Sequence, residues 1–141
     1  MSLFEKILIP LDGSENSMQA LENAIQIAKK FNGKITLIHV YSASACRHAH
    51  IYFDKCVQEL RKAGTGVLVE GEKKAKAEGV QVQTLLREGH TVEEILKAAR
   101  KGKFSLIVMG ARGISKIKEI LMGSISEGVT RHAPCPVFVV K

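Results

Sequence analysis

Residues 6–14 read KILIPLDGS, a short apolar run that is broken by Asp12-Gly13-Ser14. An uninterrupted apolar run of this length is typical of a strand that is buried on both faces of a sheet. Apolar residues then recur at helical spacing, and the pair Asn32-Gly33 ends that helix with residues that tolerate a left-handed backbone. This part of the chain therefore predicts a strand, a tight turn and a helix, in that order.

The same alternation continues to the end of the chain. Further apolar runs cover residues 35–40, 80–86, 104–109 and 137–141, and helical patterns separate them without a repeat or a low-complexity linker. A chain of 141 residues suits one domain, which we expect to span residues 1–141. Strands that alternate with helices at this spacing predict an α/β domain with a parallel sheet and helices on both faces.

Three local patterns make finer predictions about the connecting elements. Residues 41–50 are expected to form a loop, and the helix after it is expected to run to about Glu78. Residues 63–66, with two glycines, could kink or break that helix, since each glycine costs about 1 kcal/mol relative to alanine. Thr91 and Glu94 have the spacing of a capping box, which predicts that a helix starts there with Thr91 as its cap.

Charge and composition set limits on the class of function. The net charge is +7, but the basic residues are spread over every predicted helix and are interleaved with glutamates, as on solvated helix faces. With five Phe, two Tyr and no Trp, a platform for stacking bases would be poorly supplied. No apolar stretch approaches the ~18 residues of a membrane span, and no signal-peptide pattern is visible. We therefore expect a soluble cytoplasmic protein, with nucleic-acid binding as a less favoured alternative.

The cysteines and histidines offer a second kind of site. Three cysteines cannot all pair within one chain, and a domain of this size needs no covalent staples, so we expect free and mostly buried thiols in a reducing compartment. Cys46, His48 and His50 could instead form a metal or redox site, although their spacing matches no closed zinc pattern. Cys135 is predicted to be a packed thiol, and His39, inside a strand, to be structural.

Two strand ends carry residues that suit a ligand. Residues 10–14 (PLDGS) follow the first strand, and the fourth is followed by Gly110-Ala-Arg-Gly113, nine further residues and Gly123-Ser124. Ligands of open α/β sheets lie at the carboxyl ends of strands. Gly110 and Gly113 would permit close approach and positive φ, so that successive amides could converge on an anion. The start of the last helix would add unpaired amides, and together these features predict a phosphate site.

Side chains near these glycines could add to the site. Ser124 and Ser126 offer hydroxyl donors, whereas Arg112 and Lys116 offer positive charge. The segment is not a P-loop, because serine stands where the Walker A motif has its second glycine, and it lacks the spaced glycines of a dinucleotide fingerprint. The alternative interpretation is that the glycines only make turns and Ser124 only caps a helix.

The spacing Gly110-x2-Gly113-x9-Gly123-Ser124 resembles the ATP-binding signature of the universal stress proteins. The resemblance covers nearly the whole chain, through the segments KILIPLDGSENS, ITLIHV, REGHTVEEIL, LIVMGARG and APCPVFVVK in the family's order. It implies membership of the ATP-binding subgroup. It also implies a single-domain, Rossmann-like open sheet of five parallel strands in the order 3-2-1-4-5.

The resemblance further implies where ATP would lie. Pro10, Asp12 and Val40 would line the adenine and ribose side, with Asp12 bonded to the nucleoside or to a metal-bound water. Mg²⁺ or Mn²⁺ would accompany the triphosphate, because the sequence offers no separate carboxylate cage. The residues expected around the ribose and the phosphates are Met109, Gly110, Ala111, Arg112, Gly113, Ile114, Ser115, Lys116, Gly123, Ser124, Ile125 and Ser126.

The sequence also leads to expectations about the activity of the protein and its assembly. Hydrolysis needs a residue that positions water, and no candidate has a defensible place. We therefore expect a nucleotide-dependent binding or signalling module of the stress response with slow or no hydrolysis. The alternative is an α/β enzyme that hydrolyses nucleotides or transfers a nucleotidyl group. The apolar strand at 137–141 is expected at a sheet edge, where the resemblance implies a homodimer; the alternative is an edge that is covered within the monomer.

Overall fold

A computed structural model describes residues 2–112 and 122–141 of the chain. Its strands are β1 (Lys6–Pro10), β2 (Lys34–Tyr41), β3 (Val82–Glu88), β4 (Leu106–Gly110) and β5 (Val137–Val140). Its α-helices are α1 (Glu15–Phe31), α2 (Phe53–Ala77), α3 (Thr91–Lys101) and α4 (Ser124–His132), with 3₁₀ turns at Ala43–Cys46 and His50–Tyr52. The strands form one parallel sheet in the order β3-β2-β1-β4-β5, which confirms the predicted topology.

Two apolar layers hold the helices to the sheet. In β1, Ile7 and Ile9 pack in the layer formed with α1 and α2, whereas Leu8 packs in the layer formed with α3 and α4. All three side chains are fully buried, and each such burial stabilises the fold by about 1.5–3 kcal/mol. The uninterrupted apolar run in β1 therefore reflects a strand that is covered on both faces, as predicted.

Helix α1 begins and ends where its sequence predicts. The Ser14 hydroxyl accepts a hydrogen bond from the amide of Ser17, which satisfies one of the unpaired donors of the first turn. Asn32 adopts a left-handed conformation with φ of 55°, and its amide donates to the carbonyl of Ala28. These caps fix the direction in which the chain leaves β1 and enters β2.

Helix α2 is continuous from Phe53 to Ala77, so the two glycines of residues 63–66 do not break it. Gly64 is buried against the sheet, where an added Cβ would lie 2.5 Å from Cδ2 of His39. At Gly66, half a turn away, such a Cβ would have no atom within 4 Å from the rest of the described structure, apart from the adjoining part of its own helix. Close packing at Gly64 therefore accounts for one glycine, and the tertiary contact outweighs its poor helix propensity.

The first residue of β3 and the cap of α3 differ from the predictions. β3 begins at Val82 rather than Val80, because the amide of Val80 donates to the carbonyl of Ala75 and so belongs to the turn that closes α2. In α3 the cap is His90, with no side-chain hydrogen bond, and Thr91 is already helical. The Thr91–Glu94 pattern is thus not a capping box.

The expectation of three free thiols is wrong. Cys46, at the end of the first 3₁₀ turn, forms a disulfide with Cys56 in α2, and their Cα atoms are 5.9 Å apart. Parity excludes pairing all three cysteines but does not exclude one pair, which forms here because residues 42–52 fold back onto α2. The disulfide closes a loop between residues that are 10 apart in the sequence, and a cross-link of this span stabilises the fold by about 2–3 kcal/mol in the chain-entropy model.

The disulfide also removes the alternative metal site, because Cys46 has no thiolate to offer a metal. No cluster of three potential ligands occurs in residues 2–112 and 122–141. Cys135 is free, and burial raises the pKa of its thiol, which fits the predicted packed thiol.

The sheet ends at β3 on one side and at β5 on the other. On β5, the side chain of Phe138 is 46% exposed, whereas Val137 and Val140 are partly buried against the core. The position of the last strand at an edge is therefore confirmed. Among the helices that the structure describes, none is long and apolar enough to cross a membrane.

Candidate functional site

A cavity of about 690 Å³ opens at the carboxyl ends of β1 and β4. These two strands are neighbours, and the chain winds away from them in opposite directions, so the cavity lies at the topological switch point of the sheet. Its volume is within the range of small-molecule sites. The place at which the sequence predicts a ligand is therefore the place at which the sheet leaves room for one.

Most of the predicted site residues line this cavity. Those that do are Pro10, Asp12, Val40, Met109, Gly110, Ala111, Arg112, Gly123, Ser124, Ile125 and Ser126. The other four predicted residues, Gly113, Ile114, Ser115 and Lys116, lie outside the described part of the chain.

Sequence reasoning missed seven further lining residues, namely Leu11, Ser17, Ile38, Thr91, Ile95, Met122 and Glu127. Three of these carried a usable signal. Ile38 is two residues before Val40, so both side chains lie on one face of β2. Thr91 and Ile95 are separated by one helical turn and share a face of α3.

The turn after β1 holds Asp12 in a defined position. One carboxylate oxygen of Asp12 accepts a hydrogen bond from the amide of Ser14 at 2.8 Å. Behind the turn, the amide of Leu11 donates to the carbonyl of Ile38 at 2.8 Å. A carboxylate has two oxygens, so one of them is left to accept from a ligand in the cavity.

His39 supports the same turn from the neighbouring strand. Its Nδ1 lies 2.8 Å from the carbonyl oxygen of Leu11. A carbonyl can only accept, so Nδ1 carries the proton and donates. His39 is thus a structural residue that fixes the backbone at the cavity wall, in agreement with its predicted role.

The other end of the cavity is formed by the start of α4. The first backbone bond of this helix runs from the amide of Glu127 to the carbonyl of Gly123 at 3.0 Å. The amides of Ser124, Ile125 and Ser126 therefore have no acceptor within the helix, and Gly123 has no side chain to cap them. Unpaired amides and the positive end of the helix dipole together suit an anion.

The amides at the end of β4 are already used within the protein. Ala111 donates its amide to the carbonyl of Val140 at 2.8 Å, and Arg112 donates its amide to Oδ1 of Asn16 at 2.9 Å. The expected convergence of amides from both segments is therefore wrong for these two residues. Within the described residues, the backbone donors that remain for an anion are those of α4.

Ser126 also differs from its expected role. Its hydroxyl donates to the carbonyl of Ala111 at 2.6 Å, and the residue is only 2% exposed. The hydroxyl thus holds α4 to the end of β4 and is not directed to a ligand. Ser124 is exposed at the start of the helix and lines the cavity, and neither its amide nor its hydroxyl has a partner among residues 2–112 and 122–141.

Comparisons with known proteins identify the family and agree with the fold. The model of the "Universal stress protein family" matches residues 3–141. The universal stress protein YxiE of Bacillus subtilis is 33% identical over 99% of this chain and 100% of its own length. The structure of protein MJ0577 superimposes with a TM-score of 0.89 at 28% identity, over 99% of this chain and 97% of that one.

A further solved structure is that of a universal stress protein in complex with cAMP. It has a TM-score of 0.72 and 28% identity, and it covers 99% of this chain and 98% of its own. Since the family model spans all but the first two residues, the chain belongs to the universal stress protein family.

Proposed function

We propose that the protein binds an adenine nucleotide, ATP by preference, in the cavity between β1, β4 and α4. The observation that carries the proposal is that three amides at the start of α4 have no acceptor among the described residues and line a cavity of about 690 Å³ with apolar walls. The cavity thus combines apolar walls with a cluster of amide donors, and a nucleotide combines a largely apolar base with an anionic tail. Adenine binding is also supported by the related protein that was solved with cAMP.

The orientation follows from the two ends of the cavity. The base and the ribose lie against Pro10 and Val40, where the free oxygen of Asp12 accepts from the nucleoside. The phosphates lie at Ser124–Ser126, and Arg112 adds a positive charge at the same end. Asp12 would repel a phosphate, so this orientation is favoured over its reverse.

A divalent ion could be held in this cavity only if phosphate oxygens of the nucleotide supplied some of its ligands. Asp12 and Glu127 are the carboxylates among the described lining residues, and they are part of no three-ligand cluster. Mg²⁺ and Mn²⁺ can be held by one or two carboxylates together with phosphate oxygens and water. As the alternative to bonding the nucleoside, the free oxygen of Asp12 would hold such an ion through water, and the ion would offset the charge of the triphosphate.

We propose a binding or signalling module of the stress response rather than a fast ATPase. In the proposed orientation Asp12 lies at the nucleoside end of the cavity, away from the phosphates, and Glu127 pairs with Nη2 of Arg131 at 2.8 Å. Neither carboxylate is placed as a base for water, which hydrolysis requires. A nucleotide-hydrolysing or nucleotidyl-transferring enzyme is the alternative, and a nucleic-acid-binding protein is less favoured because the basic residues are dispersed.

We also propose a homodimer that pairs through the last strand, residues 137–141. β5 is at an edge of the sheet and exposes Phe138, so a second copy could add its own β5 there. A cytoplasmic location remains part of the proposal. The Cys46–Cys56 disulfide weighs against it, because disulfides are rare in reducing compartments.

The proposal is tested by analysing the nucleotide that the protein carries. Freshly purified protein is denatured and the supernatant is chromatographed, and we expect ATP to be released. Incubation with ATP and Mg²⁺ should then yield ADP or AMP at well below ~1 s⁻¹, the low end for ordinary enzymes. Turnover at that rate or faster would favour the enzyme, and failure to retain or rebind ATP would contradict the proposed ligand.

A further inference from the structure

Asn16, in the first turn of α1, reaches the ends of two strands that are distant in sequence. Its Oδ1 accepts from the amide of Arg112 at 2.9 Å, and its Nδ2 donates to the carbonyl of Val140 at 3.0 Å. Only this orientation of the side-chain amide satisfies both partners, since an N–H can only donate and a carbonyl can only accept. One half-buried side chain therefore joins α1 to the exit of β4 and to the end of β5.

The carbonyl of Val140 is a shared acceptor in this arrangement. It also accepts the amide of Ala111 at 2.8 Å. Ala111 and Arg112 both line the cavity, whereas Val140 ends the edge strand. The wall of the cavity and the edge strand are thus connected through two hydrogen bonds of Asn16 and one of Ala111.

Gly110 supports the same connection by leaving room for it. An added Cβ at Gly110 would lie 2.8 Å from Oδ1 and 2.9 Å from Cγ of Asn16. Gly110 does not have the positive φ that was expected of it, so backbone conformation does not explain its lack of a side chain. The close approach of the Asn16 amide does.

We propose that Asn16 is a positioning residue that couples the nucleotide cavity to the C-terminal strand. A nucleotide that orders Ala111 and Arg112 also orders Val140, and by linkage an ordered β5 favours the nucleotide-bound arrangement. The choice of ligand rests on the proposed function, whereas the connection itself rests on the contacts of Asn16. Nucleotide binding and the order of the edge strand are therefore not independent.

The test uses variants of Asn16 and amide hydrogen exchange measured by NMR, first without nucleotide. Asn16→Leu has the same shape but no polar atoms, so the amides of Ala111 and Arg112 should exchange about fivefold to tenfold faster. Asn16→Asp keeps the acceptor for Arg112 but cannot donate to Val140. In this variant Arg112 should stay protected while Ala111 exchanges faster, a separation that a merely structural role would not produce.

Gln19→Ala is the matched control. Gln19 accepts a 3.3 Å bond from the same Nδ2 on the exposed side of α1, and its loss should leave both amides at wild-type rates. Wild-type rates at Ala111 and Arg112 in Asn16→Leu, or the same rates in the Asp and Leu variants, would overturn the connection. Should Asn16→Leu fail to fold, the Asp variant decides alone, because unchanged exchange at Ala111 would refute the bond to Val140.

The second arm adds ATP. In wild-type protein ATP should slow exchange of the β5 amides, and in Asn16→Leu this protection should be lost while the Kd for ATP rises about fivefold to tenfold. ATP binding without protection of β5 in the wild type would overturn the coupling. If the wild type does not bind ATP, the proposed function fails, whereas the exchange rates without nucleotide still decide the role of Asn16.

Discussion

Replacing Ser124 by aspartate is expected to raise the Kd for ATP at least about 100-fold without unfolding the protein. The new carboxylate would lie among the amides that receive the phosphates, and two like charges about 4 Å apart repel by about 4 kcal/mol at an effective dielectric constant near 20. The same carboxylate interacts favourably with the positive end of α4, so the helix itself should not be weakened. Isothermal titration with ATP measures the loss, and thermal unfolding checks the fold.

Two controls separate charge at the cavity from other effects of this substitution. Ser124→Ala removes the hydroxyl but keeps the amide, so the Kd should change by less than about fivefold. Gln58→Glu makes the same change in net charge on the exposed surface of α2, away from the cavity, and should leave the Kd unchanged. An aspartate variant that binds ATP as tightly as Ser124→Ala would show that the phosphates do not lie at α4.

The second large effect concerns stability and compares two glycines of one helix. Gly64→Ala should lower the free energy of unfolding by about 1–3 kcal/mol, because its Cβ would lie 2.5 Å from the His39 ring and 3.0 Å from a methyl group of Leu86. The ring cannot move freely, since its Nδ1 donates to the carbonyl of Leu11. Gly66→Ala should instead raise the free energy of unfolding by about 0.5–1 kcal/mol, because alanine is the better helix former and its Cβ has no close contact there with other described elements.

Chemical denaturation of both variants measures this pair of effects. The substitution and the helix are the same, so intrinsic helix propensity cancels in the comparison and the difference reports packing against the sheet. Equal changes in both variants would contradict the close approach of α2 to β2. ATP binding offers a second measurement. A Cβ at position 64 would displace the ring of His39, which holds the carbonyl of Leu11 at the cavity wall, so Gly64→Ala should also weaken ATP binding.

Local sequence patterns sufficed for much of the fold because short-range interactions decide those features. The uninterrupted apolar run of β1 and the Asn32 cap follow from burial and backbone preference, whereas the resemblance implied the strand order that places β5 at an edge. Local patterns also predicted the Pro10–Asp12 turn and the start of α4, which bring predicted site residues to one cavity.

Features that depend on tertiary approach were not predictable from these patterns. The amide of Asn16 meets Arg112 and Val140 across 96 and 124 residues of chain, and nothing near it in sequence indicates either partner. The hydroxyl of Ser126 is satisfied by Ala111 for the same reason, so its expected role at the phosphates was wrong. The disulfide between Cys46 and Cys56 likewise could not be predicted without knowing the path of the chain after β2.

The central claim is that phosphates bind the amides of Ser124, Ile125 and Ser126, which have no acceptor within α4. An NMR titration that compares adenosine, AMP and ATP tests it most directly, because each ligand presents the same base with a different anionic tail. We predict that the amide resonances of Ser124, Ile125 and Ser126 move strongly with AMP and ATP but little with adenosine. If ATP binds and these three resonances stay in place, the phosphates lie elsewhere and the account is contradicted.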